Sequence, residues 1–119
     1  MPGSLTTAVV DAYRGGPAAG MLIDLFRLPR GAGERHHLRT IETNGKGAID
    51  GALIEGEAFL PATYELLYHV GRYFRSQRVT PGDAPFLEVI PVRFVIGDAG
   101  RSHHLALLVS PWSYTAFGG

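Results

Sequence analysis

The side chains here that could carry chemistry are few: five histidines, a Ser-Pro corner, a scatter of arginines and one lysine. His103 and His104 are adjacent in the apolar stretch HHLALLVS, and His36 and His37 are adjacent in a more polar one. A strand sends neighbouring side chains to opposite faces, so neither pair is arranged to chelate one ion, and no metal site is expected. What remains is the single imidazole. One titrating group among apolar neighbours is a setting for acid–base chemistry. His103 and His104 face opposite ways, and His103 is expected on the sheet exterior.

The other reactive types read as structure. Ser110 precedes Pro111 and lacks the glycines of a nucleophile elbow, so it is expected to form a turn. Gly31-x-Gly33 opens no helix and has no lysine-serine partner, which leaves phosphate cradling unsupported. Arg72, Arg75 and Arg78 fit a solvated helix face rather than a nucleic-acid patch.

The elements that must position these residues follow from period-two hydrophobic runs punctuated by Gly, Pro, Asn and Asp, the pattern of an antiparallel sandwich or barrel. Strands are expected over 5–11, 21–28 and 36–43, with a glycine-rich loop over 29–35. Asn44-Gly45 signals a turn, since both residues tolerate positive φ. A short strand is expected over 48–54 and another over 63–69. Residues 70–78 (VGRYFRSQR) lose the alternation and read as one short helix, which Pro81-Gly82-Asp83 ends. A long strand over 86–96 tolerates Pro91 only at an edge or a bulge. Strands over 103–110 and 112–117 close the fold.

At 119 residues the chain is expected to form one domain, residues 1–119, able to bury a core. It has no cysteine, which excludes disulfides, thiolate metal sites and a cysteine nucleophile. Eleven basic residues balance eleven acidic ones, so no global field draws nucleic acid or an anionic membrane. No apolar run approaches a membrane span, and the N-terminus lacks the pattern of a signal peptide. A cytoplasmic protein is expected. Its near-zero net charge gives little protection against self-association.

Blocks along nearly the whole length resemble the hydroxyisourate hydrolases, the enzyme branch of the transthyretin family. LTTAVVDAYRGGPAAGMLIDLFRL resembles that family's opening strand, turn and outgoing strand. TNGKGAIDG resembles its Thr-Asn-x-Asp-Gly-Arg turn, YELLYHVGRYF its strand-then-helix element, and FLEVIPVRF its Pro-bearing strand. HHLALLVSPWSYTAFGG resembles its closing block. The resemblance implies an all-β, two-sheet antiparallel sandwich with one short helix. It also implies a homotetramer with ligand sites in a channel between dimers, a small-molecule substrate or ligand, and no cofactor.

The departures from the family pattern bear on function. Ala8 stands where the family has its first-strand histidine, Ala48 where it has the arginine after the middle turn, and Lys46 where that turn is acidic. Ser102 replaces the first histidine of His-x-His, while His104 keeps the second. Phe117-Gly118-Gly119 replaces the start of the Tyr-Arg-Gly-Ser tail. An alanine supplies neither a base nor an oxyanion donor. Losing a general base costs about 10²–10⁴-fold in rate, and losing an oxyanion donor about 10²–10³-fold. Weak hydrolysis of 5-hydroxyisourate is the expectation.

Strand parity then describes the channel wall. Thr6, Ala8 and Val10 share one face, His104, Ala106 and Leu108 another, and Thr115 and Phe117 a third. With Ala48, Lys46 and Tyr114, these are the expected lining residues around His104. Three functions are consistent with them. One is acid–base chemistry by His104 (hydrolysis, cyclisation or isomerisation) on a different small heterocyclic or carbonyl substrate. A second is binding of a small ligand without turnover, and a third is 5-hydroxyisourate hydrolysis with a displaced base, Lys46 swinging into the arginine's place.

Overall fold

The alternating stretches pair into two facing sheets. The computed structural model describes residues 3–28, 34–78 and 86–119. One sheet joins β1 (Ser4–Asp11), β2 (Gly16–Pro17), β5 (Ile54–Glu55), β8 (His103–Val109) and β9 (Tyr114–Gly118). The other runs, from edge to edge, β4 (His36–Glu42), β3 (Leu22–Leu28), β6 (Ala62–Tyr68) and β7 (Ile90–Ile96). A 3-10 turn at Gly56–Ala58 precedes β6, and helix α1 (Val70–Ser76) follows it. This is the all-β two-sheet sandwich with one short helix that the resemblance implied.

The core lies between the sheets. Leu5 and Val9 of β1 and Leu105, Leu107 and Val109 of β8 are buried in one cluster with Ile23, Leu25, Leu66 and Tyr68 of the second sheet. Burying such an apolar side chain contributes about 1.5–3 kcal/mol, so this layer dominates the stability. Thr7 is a polar intruder in the row and is fully satisfied. It donates to the Leu105 carbonyl at 2.7 Å and accepts from the Tyr68 hydroxyl at 2.8 Å, tying one sheet to the other. Burial pushes the Tyr68 phenol well above its ordinary pKa.

Helix α1 is too short to stand alone. It is held by burying Val70, Gly71, Tyr73 and Phe74, and by the Tyr73 hydroxyl, which donates to Asp11 Oδ2 at 2.8 Å. Asp11 Oδ1 accepts from the Tyr13 and Arg14 amides, both at 3.0 Å, and so shapes the turn after β1. The helix ends at Ser76 rather than Arg78, whose φ of 55° is left-handed. Exposed Arg75 bonds Glu88 through both amino nitrogens at 3.1 Å, and Arg72 reaches Glu42 at 3.4 Å.

Several expectations need correction. β1 pairs with β8 in parallel, with no hairpin to impose the opposite sense. Residues 48–54 are not a strand: Ala48 makes one isolated bridge to Ala8, and regular pairing resumes only at Ile54. Gly51, at φ 78°, breaks the run between them. The strand expected over 86–96 begins only at Ile90. Pro91 does lie on an edge strand, and the β6–β7 register runs through it without a bulge. The bulge is on the opposite side of that sheet, between Leu25 and Phe26 against β4. The Pro81-Gly82-Asp83 break and most of the 29–35 loop lie outside the described residues.

Candidate functional site

The outer face of the first sheet is built row by row from its register. Thr6 pairs with His104, Ala8 with Ala106, and Val10 with Leu108 across the parallel β1–β8 pair. On β9, Phe117 lies opposite Ala106 and Thr115 opposite Leu108. The Ala8–Ala48 bridge adds a fourth strand segment to the middle row. That row therefore reads Ala48, Ala8, Ala106, Phe117: three methyl groups side by side, closed at one end by an aromatic ring. Beside it runs the polar row of Thr6 and His104, and on its other side the bulkier Val10, Leu108 and Thr115.

The turn that delivers Ala48 is shaped by Asn44. Its backbone N–H donates to the Ala48 carbonyl at 2.7 Å, and its side-chain Oδ1 accepts from the amides of Lys46 (2.9 Å) and Ala48 (3.3 Å). The left-handed residue here is Gly47, at φ 73°, rather than Asn44 or Gly45. A Cβ at Gly47 would lie 2.5 Å from the Val9 carbonyl oxygen, so close approach as well as φ selects glycine. Lys46 is exposed at the tip of this turn.

His104 is the one titratable side chain in the grid formed by these rows. Its Nδ1 lies 2.8 Å from Thr6 Oγ1, which holds the ring. Its backbone exchanges two 3.2 Å hydrogen bonds with Gly119, so the end of the chain is tied to this strand. The ring is exposed, as are Val10 (44 %), Leu108 (41 %) and Phe117 (61 %). A cleft of about 520 Å³ adjoins it, lined in part by His104, His103, Phe94, Arg101 and Gly119.

Two expected placements differ. His103, not His104, leaves the outer face: its ring sits 6.0 Å from that of Phe59, and its Nε2 reaches the Asp98 carbonyl at 2.7 Å. Tyr114 pairs with Val109, which is fully buried, so strand parity turns it away from the face of Thr115 and Phe117. Ser110 is a turn-former, its Oγ accepting from the amides of Trp112 (3.3 Å) and Ser113 (3.1 Å).

The second sheet carries a polar cluster that the sequence did not signal. Asp24 accepts from His69 Nε2 at 2.8 Å, from His37 Nε2 at 3.1 Å and from the Thr40 hydroxyl. Burial raises the Asp24 carboxyl, but the bonds from Thr40, His69 and His37 and the charge of His69 outweigh it and hold the pKa below the ordinary value. The spacing gives no hint of it, because the β3–β4 register and the start of α1 bring the four residues together. Among the described residues, no group of three or more His, Asp or Glu side chains is arranged to hold a metal ion. No helix among them is long and apolar enough to cross a membrane.

Comparison with known proteins places this geometry. The HIUase/Transthyretin family matches residues 5–119. The chain is 49 % identical to 5-hydroxyisourate hydrolase 2 of Rhizobium meliloti (strain 1021), over 98 % of this chain and 96 % of the relative. It is 41 % identical to 5-hydroxyisourate hydrolase of Ralstonia nicotianae, over 98 % of each. Among solved structures, an (S)-allantoin synthase superposes with a TM-score of 0.91 at 35 % identity, covering 99 % of this chain and 44 % of that one. Sea bream transthyretin in complex with thyroxine superposes with a TM-score of 0.84 at 27 % identity, covering 98 % of this chain and 94 % of that one.

Proposed function

The chain belongs to the HIUase/transthyretin family, and on that premise we propose that the outer face of its first sheet is a small-molecule site in which His104 is the acid–base group. The substrate is a small heterocyclic or carbonyl compound, and the reaction is a hydrolysis, cyclisation or isomerisation that needs a proton moved at one position. The observation that carries this reading is the pairing of Thr6 with His104 at 2.8 Å beside the three-alanine row. An oriented imidazole next to a shallow, small-residue trough can meet a flat ring and exchange a proton with its edge. The site lacks the histidine and arginine of the family pattern, so 5-hydroxyisourate, the compound in the relatives' names, is expected to react slowly.

The rest of the face supports a site completed by further copies of the chain. Val10, Leu108 and Phe117 form an exposed apolar strip, and among the described residues β7 and β9 are edge strands of their sheets. In our reading residues 1–119 act as one domain in a homotetramer, with the channel between dimers enclosing this face. Lys46, exposed at the tip of the turn that carries Ala48, borders it. The cysteine-free sequence suits a cytoplasmic setting.

A second reading is ligand binding without turnover, favoured by the apolar middle row with Phe117 at its end. One set of assays separates the two. Decay of 5-hydroxyisourate absorbance, and turnover of a panel of cyclic amides, imides and lactones, are followed with the unmodified protein and with His104→Ala. Catalysis by His104 requires turnover of at least one compound, lost in His104→Ala while the oligomer persists. Unchanged turnover in the variant overturns it, and tight binding with no turnover of any compound establishes the second reading.

A further inference from the structure

We infer that Thr6 is a positioning residue that sets the tautomer of His104, holding the proton on Nδ1 and leaving Nε2 as the lone-pair nitrogen. The inference rests on the reading of His104 as the acid–base group. It gives that group a starting state: a base.

Thr6 Oγ1 has two neighbours among the described residues, His104 Nδ1 at 2.8 Å and the His103 carbonyl oxygen at 3.5 Å. A hydroxyl brings one proton and can also accept. If the neutral ring carried its proton on Nε2, Nδ1 and the carbonyl would both be acceptors competing for that one proton. One of the two contacts would then set lone pair against lone pair. If the proton is on Nδ1, that N–H donates to Thr6 Oγ1 and the hydroxyl donates onward to the His103 carbonyl. Both contacts are then satisfied.

The scaffold makes this arrangement rigid. Thr6 and His104 are register partners in the parallel β1–β8 pair, so neither depends on a loop for its place. Threonine is β-branched and restricted at χ1, which limits how far Oγ1 can swing. The Nε2 atom has no hydrogen-bond partner among the described residues. The hydrogen bond made by one ring nitrogen decides which tautomer the other presents. Here it presents a lone pair, ready to take a proton from a substrate and later return it.

Nitrogen NMR of protein labelled with ¹⁵N-histidine tests this without any substrate. Spectra are taken about two units above the ordinary imidazole pKa of about 6.5, and the His104 signals are identified by their loss in His104→Gln. The Nδ1–H tautomer should dominate in the unmodified protein. Thr6→Val keeps the shape and removes the hydroxyl, and should lower the Nδ1–H to Nε2–H ratio about two- to tenfold, the value of one neutral hydrogen bond. Thr6→Ser should restore it. A dominant Nε2–H tautomer in the unmodified protein, or a ratio unchanged in folded Thr6→Val, overturns the inference. Such a result leaves the His104→Ala assay to judge the acid–base reading separately.

Discussion

Ala8 and Ala48, forty positions apart in the chain, face each other in an isolated antiparallel bridge on the outer face of the first sheet. By the resemblance drawn from the sequence they stand where the family pattern carries a histidine and an arginine, and in our reading this place on the sheet lacks both polar groups. The clearing is local. Thr6 and His104 remain in the neighbouring row, bonded at 2.8 Å.

Restoring the lost pair should therefore restore chemistry at that place. Ala8→His combined with Ala48→Arg is expected to raise 5-hydroxyisourate hydrolysis about 10²–10⁴-fold, the usual value of a general base, measured by ultraviolet decay. Each single variant should gain far less than the pair. A folded double variant with no gain would mean that the bridge does not form part of the reacting surface.

Gly47 sets where Ala48 lies. Gly47→Ala should destabilise the protein by about 1–3 kcal/mol, because its φ is positive and its new methyl group meets the Val9 carbonyl. Thermal unfolding reads the loss, and the amide shifts of Ala48 and Ala8 should move with it. Gly45→Ala, where a Cβ meets nothing, should change little.

Asp24 predicts an acid-sensitive contribution. Its carboxyl is held below the ordinary value, so its contribution is fully present above about pH 4 and is lost as pH falls through the lowered folded value. Asp24→Asn should cost about 1–2 kcal/mol at pH 7, and the gap from the unmodified protein should close on acidification. Urea unfolding across pH 2–7 measures it. A gap that stays constant would show that the His37–Asp24–His69 bonds carry no stability through ionisation.

Tyr73 predicts the opposite limb. Burial, followed by its hydrogen bond to Asp11 and the charge there, pushes the phenol up to about 12, with Arg14 opposing. The folded state keeps its proton after the unfolded chain has lost it at about pH 10. Stability should therefore fall between about pH 10 and 12, by up to about 1.4 kcal/mol per pH unit. Tyr73→Phe should be less stable at pH 8, by about 1–3 kcal/mol, because Asp11 loses a buried donor. It should also lack this part of the alkaline slope.

Much of this was legible because alternation reports burial directly. Leu5, Val9, Leu105 and Leu107 show their faces by spacing alone, and the helix shows itself where alternation stops at Val70. The parallel sense of β1–β8 was not legible, since nothing local links two strands separated by most of the chain. Nor was the loss of strand at 48–53, where Gly51 and the Asn44 hydrogen bonds override an apolar run. The outer-face rows were legible as parity within each strand, whereas the joining of those rows into one grid needed the register. Tyr114 was named with the lining residues although strand parity sets it on the face opposite Thr115 and Phe117. The Asp24 cluster joins three elements and has no pattern along the sequence.

The measurement closest to the central claim is a map of backbone amide and methyl shifts during titration with neutral heterocycles and a stable 5-hydroxyisourate analogue. If the outer face of the first sheet is the small-molecule site, at least one compound should shift Thr6, Ala8, His104, Ala106, Leu108 and Phe117 together, and His104→Ala should weaken that binding. Shifts confined to other surfaces, or no saturable shift with any compound, would contradict it.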